Sequence, residues 1–175
     1  MKRILLFLGL SLTLAACSLA PITIDLMPTL QQNGADAGTQ TVTAAGDLDL
    51  MLPDRSGYEV SGYEVPSLRP NQVRLEYTLV LEQDGGLSGS AELRFYLAPA
   101  GADLWNATEQ VGDPIAVDLS QTSTTLSGSL ELSPEQIDTL MSGMLTVGAR
   151  IAGTASGTAT VSYRFERLVL KVAFF

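Results

Sequence analysis

Between Val73 and Leu81 every second residue is apolar. Val73, Leu75, Tyr77, Leu79 and Leu81 carry the apolar positions, and Arg74, Glu76 and Thr78 stand between them, with Glu82 following. Side chains alternate faces along a strand, so this run folds as a β-strand with one face on a core and one in water. On a helix the same residues would be scattered around every side. Ala91, Leu93, Phe95 and Leu97 repeat the pattern, opposed by Ser90, Glu92, Arg94 and Tyr96. Asp84-Gly85-Gly86 lies between the two runs and tolerates positive φ, which predicts a long antiparallel hairpin.

The same alternation recurs along the chain. Ile22, Ile24 and Leu26 predict a first strand, and Leu48, Leu50 and Leu52 a second that ends at Pro53. Ile115, Val117 and Leu119 predict another, as do Leu126, Leu130 and Leu132. Residues 31–46 are rich in Gly, Ala, Thr and Asn and read as a loop, with an extended piece at Thr41-Val42-Thr43. Leu145, Val147, Ala149 and Ile151 form one late strand. After the small residues 152–157, Ala159, Val161, Tyr163 and Phe165 form another. The apolar phase then moves to Leu168, Leu170, Val172 and Phe174. A strand cannot change faces without an extra residue, which predicts a β-bulge near Glu166-Arg167.

One helix start is explicit. Ser133 caps, Pro134 takes the first helical position, and Gln136 completes a capping box, with Ile137, Leu140 and Met141 at helical spacing. The element, about 134–142, is too short to stand alone and should plug one end or edge of the sheets. With no βαβ rhythm, the expected fold is all-β: a single antiparallel β-sandwich of about eight strands with one short helix, over residues 22–175.

The amino terminus has a separate logic. Met1-Lys2-Arg3 is positive, and residues 4–14 are largely apolar. Leu14-Ala15-Ala16 then places small residues before Cys17, the sole cysteine. This is too short to span a bilayer and has the order of a secretory signal peptide. Leu14-Ala15-Ala16-Cys17 resembles the lipobox of bacterial lipoproteins. The resemblance implies cleavage after residue 16, with diacylglycerol and an N-acyl chain carried covalently on Cys17 and no other cofactor. Ser18 resembles the residue following the cysteine in outer-membrane-destined lipoproteins of diderm bacteria, facing the periplasm or cell surface. Residues 17–21 then form the lipidated tether. The five steps from Cys17 to Ile22 reach at most ~18 Å, which sets the domain against the headgroups.

Cleavage removes two of the 10 basic residues, leaving 8 against 19 acidic and a net charge of −11. That excludes nucleic acid as an expected partner, since its binding draws on clustered Lys and Arg. It also makes the lipid, not surface charge, the expected attachment to the membrane. With Cys17 acylated, no disulfide is available to the folded domain.

The chain contains no histidine, which removes the usual general base and imidazole metal ligand. Phosphate-cradling and nucleophile-elbow motifs are absent as well, so no enzyme is expected. Asp47 and Asp49 share one strand face and are the candidate oxygen ligands for a cation, although the EF-hand spacing is missing. The pentapeptide SGYEV occurs twice in succession over residues 56–65. Tyr58, Tyr63, Glu59 and Glu64 are therefore candidates for binding a partner, the tyrosines as anchors and the glutamates toward basic groups. Trp105 is a candidate stacking surface or a rim-packing residue. Phe175 resembles the terminal residue of outer-membrane barrels, but Arg167 and Lys171 on the same side of the last strand would enter lipid. The expected function is a membrane-anchored envelope lipoprotein with a structural or protein-binding β-sandwich. A lipid or small apolar ligand held between the sheets is the alternative, and a carboxylate-dependent hydrolase stands third.

Overall fold

The computed structural model describes residues 22–174. Eight strands form one antiparallel sheet: β1 (Ile22–Asp25), β2 (Ala37–Leu52), β3 (Tyr58–Ser61), β4 (Gln72–Gln83), β5 (Leu87–Pro99), β6 (Gln110–Asp118), β7 (Ser123–Glu131) and β8 (Met144–Ala173). Helix α1 (Met27–Gln32) follows β1, and helix α2 (Pro134–Met141) joins β7 to β8.

The 30-residue strand β8 is the spine. Along one edge it pairs with β5 through residues 145–157 and with β4 through residues 161–173. Along the other edge it pairs with β3, β2 and β1 in turn. β6 and β7 extend the sheet outside β5 and β4.

The expected β4–β5 hairpin does not form. Both strands run antiparallel to β8 on the same edge, so β5 continues in the direction of β4 beyond Asp84–Gly86. The alternation correctly marks both as half-buried strands. It carries no information about the partner, and the long spine outcompetes local pairing. Likewise, residues 152–157 do not separate two strands, because β8 runs unbroken through them.

What these small residues provide is a fold line across the sheet. Gly46 of β2 and Gly89 of β5 both lie opposite Ala155 of β8, and Gly157 lies opposite Ala44 and Leu87. Gly157 has φ +110°, and a Cβ there would come within 1.9 Å of the Gly86 carbonyl oxygen. Glycine in a strand marks a tight bend or a close backbone approach, and this one supplies both. The sheet folds over on itself at this line, producing the two facing layers of the sandwich from one continuous sheet.

Two contacts demonstrate the folding. Tyr77 of β4 and Phe95 of β5, on consecutive strands running in one direction, meet across the core with ring centroids 4.6 Å apart. The Gln40 amide of β2 donates to the carbonyls of Met51 (3.3 Å) and Pro53 (3.5 Å). In a straight strand residues 40 and 51 would lie roughly 36 Å apart. The core between the layers is continuous and includes Leu52, Leu79, Leu93, Leu145, Ile151 and Leu170, each at most 2% exposed.

The predicted bulge is present. Thr78 pairs with Arg167 and Leu79 with Phe165, leaving Glu166 as the extra residue. Glu166 and Arg167 both face solvent, so Phe165 and Leu168 can both be buried.

The predicted loop at residues 31–46 is instead the end of α1 and most of β2. Its alternation is hidden because the inward positions are small or polar: Gly38, Gln40, Val42 and Ala44 face the layer, while Thr39, Thr41 and Thr43 face out. A Cβ on Gly38 would collide with the Tyr163 ring at 2.6 Å, so the missing side chain makes room for an aromatic.

Helix α2 forms as expected, and its capping box is complete. It lies across the open end of the folded sheet, between the end of β7 and the start of β8. The buried Gln136 ties it down: its amide donates to the carbonyls of Glu109 (3.1 Å) and Gln110 (3.0 Å), and its side-chain oxygen accepts from the Ser133 N–H (2.9 Å).

Candidate functional site

The duplicated SGYEV lies at the open end of the sandwich. Tyr58–Ser61 form β3, and the second copy runs irregularly toward Pro66. Both tyrosines are half-buried and packed against the core. Tyr58 donates its hydroxyl to the Thr29 carbonyl of α1 (3.3 Å), and Tyr63 donates to the Leu140 carbonyl of α2 (2.8 Å). Each therefore pins a helix to the end of the sandwich. Burial pushes the Tyr63 phenol up to about 12. Glu59 and Glu64 are exposed. The repeat thus divides its chemistry, with aromatic groups turned inward and carboxylates outward.

Asp47 and Asp49 both lie on the outer face of β2. Asp49 receives a two-point contact from Arg150 of β8, Nε at 2.6 Å and Nη2 at 3.0 Å. The carboxylate holds that guanidinium's pKa above its usual value. Asp49 is thereby engaged by a cation of the protein itself. Among the described residues no three Asp, Glu, Cys or His side chains converge as a metal site. Cys17 and the tether lie outside the described residues, as does Phe175.

Trp105 is partly buried on the outer face of the β5 layer. It meets Tyr96 edge-on at 5.3 Å, and its indole N–H donates to the Arg55 carbonyl (2.7 Å). Gly148 beneath it has no side chain, and a Cβ there would sit 2.8 Å from the indole. This is rim packing that covers the sheet face.

The outer surface of β2 and β8 is a ladder of hydroxyls. Thr39 meets Ser162 at 3.1 Å and Thr43 meets Thr158 at 3.1 Å, while Ser88 of β5 meets Ser156 at 3.0 Å. A barrel in a membrane would need an apolar band here. Apolar side chains instead fill the interior, where two cavities measure about 30 and 20 Å³. Either is large enough for one water or a methyl group, whereas small-molecule pockets occupy roughly 300–1,000 Å³.

The titrating groups predict a plain pH profile. Glu76, Asp118, Glu135 and Asp138 are held below the usual carboxylate range, led respectively by hydrogen bonds from Arg167, from Ser120, from backbone N–H and from Arg69. A lowered folded-state pKa contributes stability above the unfolded value, near 4, that is lost as pH falls through the folded one. The raised Tyr63 phenol favours the neutral form, so its contribution is present below pH ~10 and lost as pH rises toward the folded value of about 12. Without histidine, the urea midpoint should be level from about pH 5 to 9 and fall on both sides. A step near pH 6.5 would contradict this assignment.

Residues 1–18 match the family described as the prokaryotic membrane lipoprotein lipid attachment site. The chain is a bacterial lipoprotein. It is exported and held at a membrane through that site. No curated protein matches the lipoprotein's sequence. Among solved structures, it superposes on one of the infectious bursal disease virus Gt strain with TM-score 0.44 and 15% identity, covering 99% of this chain and 36% of that one. A non-crystalline-cellulose-specific carbohydrate-binding module gives TM-score 0.38 and 8% identity, covering 70% of this chain and 71% of that one. The lipoprotein therefore spans about a third of the viral chain, and superpositions this loose support no statement about a shared activity.

Proposed function

We propose that this lipoprotein is a non-catalytic module of the cell envelope whose β domain binds another envelope protein. Cys17 carries the acyl groups, and Ser18 directs the protein to the outer membrane where the organism has one. The reading is carried by the filled core. Cavities of about 30 and 20 Å³ leave no room between the layers for an acyl chain, so the working surface is the exterior.

On that exterior the main-chain edge of β2 is the favoured contact. Its 16 residues fold over at Gly46, where the Gln40 amide reaches the Met51 and Pro53 carbonyls, and its main chain pairs only with β8 among the described residues. It contains neither lysine nor proline, two devices that usually blunt an edge strand. Its edge groups before the fold, over residues 37–45, suit a partner that adds a strand, with the outward hydroxyls and Asp47 beside it. The SGYEV tyrosines are already engaged within the domain, which moves the proposed contact away from the repeat.

A photo-crosslinking residue at Asp47 in cells should give an adduct with one defined envelope protein. Thr41→Lys should suppress that adduct by blocking strand addition, and Cys17→Ser should abolish it along with acyl labelling. An adduct indifferent to Thr41→Lys would refute the edge. A small molecule retained by the delipidated protein in native mass spectrometry would favour the ligand-binding alternative.

A further inference from the structure

The described domain begins at Ile22, whose partner is Val172 near the end of β8. The described chain therefore starts at the open end of the folded sheet. Among the described residues the large apolar side chains left exposed are Ile22 (40%), Leu68 (57%) and Met144 (45%). All three lie at this same end. Ile22 opens β1, Leu68 sits in the loop before β4, and Met144 opens β8 directly after α2.

The opposite end is different. There the chain turns at Asp84–Gly86 and at residues 119–122, with Asp47, Glu82, Asp84 and Asp118 exposed and no basic residue in either turn. It lies roughly 36 Å along β4 from Val73, beyond the ~18 Å reach of the tether.

Arg74 and Lys171 stand directly opposite each other across β4 and β8. Both have acidic neighbours, since Glu131 of β7 stands opposite Arg74 on its other side and Glu76, two positions along the same face of β4, lies near enough to feel Lys171. Lys171 donates to the Thr23 hydroxyl (2.8 Å), and among the described residues neither cation forms an ion pair. Glu59, Glu64 and Glu135 are exposed at the same end, so zwitterionic headgroups fit it better than an anionic surface.

We propose that the domain stands on the bilayer by its open end, with Ile22, Leu68 and Met144 in the headgroup region and the fold-line end facing away. The proposal rests on acylation of Cys17 and extends it from attachment to orientation. Exposed apolar groups gathered where a short lipid tether emerges are thereby buried in the layer that the lipid enters.

The test uses the full acylated protein in phosphatidylethanolamine–phosphatidylcholine vesicles. Because Cys17 is the sole cysteine, Leu68→Cys and Thr122→Cys each provide a single thiol for a nitroxide label. The label at 68 should be relaxed by oxygen and shielded several-fold from a water-soluble nickel chelate, with the reverse at 122. Added phosphatidylglycerol should not deepen site 68. Acylated protein with site 68 as wet as site 122 would overturn the orientation alone. An intact mass lacking the acyl groups would overturn the anchor and the orientation with it.

Discussion

Replacing Gly157 by alanine should cost about 4 kcal/mol or more, a large share of the stability of a domain this size. Two independent penalties combine at this position. The backbone holds φ at +110°, and the added carbon would approach the Gly86 carbonyl oxygen to 1.9 Å. That oxygen belongs to main chain on the neighbouring path, so relief would require pulling β5 away from β8 at the fold line. Gly101 provides the control. It also has positive φ, +79°, but nothing lies within 4 Å of its virtual Cβ, so Gly101→Ala should cost only about 1 kcal/mol. Urea denaturation of the two variants separates backbone conformation, which they share, from the close approach, which only Gly157 has. Similar losses would mean that the fold line is not set by strand proximity.

Gln136→Ala should destabilise the domain by about 3 kcal/mol. The residue is 2% exposed and serves three backbone groups: the Ser133 N–H and the carbonyls of Glu109 and Gln110. Removing it breaks half of the capping box, worth about 1 kcal/mol, and strands two carbonyls at roughly 1 kcal/mol or more each. Because α2 closes the open end, the loss should also appear locally. Hydrogen exchange should rise in residues 134–141 and in the segment leading into β6 more than in Leu79 or Leu170 of the core. Uniform loosening throughout the sandwich would argue against Gln136 as the tie between α2 and β6.

Much of this architecture was readable from residue order because local rules act over a few positions. Alternation marks the half-buried faces of β4, β5 and the two ends of β8. The displaced phase after Phe165 locates the bulge at Glu166, and Ser133-Pro134-Glu135-Gln136 locates α2. Legibility failed where packing substituted for pattern. β2 hides its inward face behind Gly38, Gln40, Val42 and Ala44, and Tyr163 of the neighbouring strand β8 fills the space that Gly38 leaves. The SGYEV tyrosines resembled surface anchors, and only the positions of α1 and α2 reveal where their hydroxyls go.

Local order by itself determined that the chain is β-rich, that one short capped helix interrupts it, that it is acidic and lacks histidine, and that a lipid attachment site opens it. Each of these depends on residue identity or on spacings of a few residues. Tertiary structure alone decided which strands pair, that β4 and β5 run on in one direction instead of turning back, and that one sheet folded at Gly46, Ala155, Gly157 and Gly89 makes both layers. Strand pairing is a competition among distant edges, settled by how much apolar surface the winning arrangement buries. Alternation specifies the face a residue takes and is silent about its neighbour.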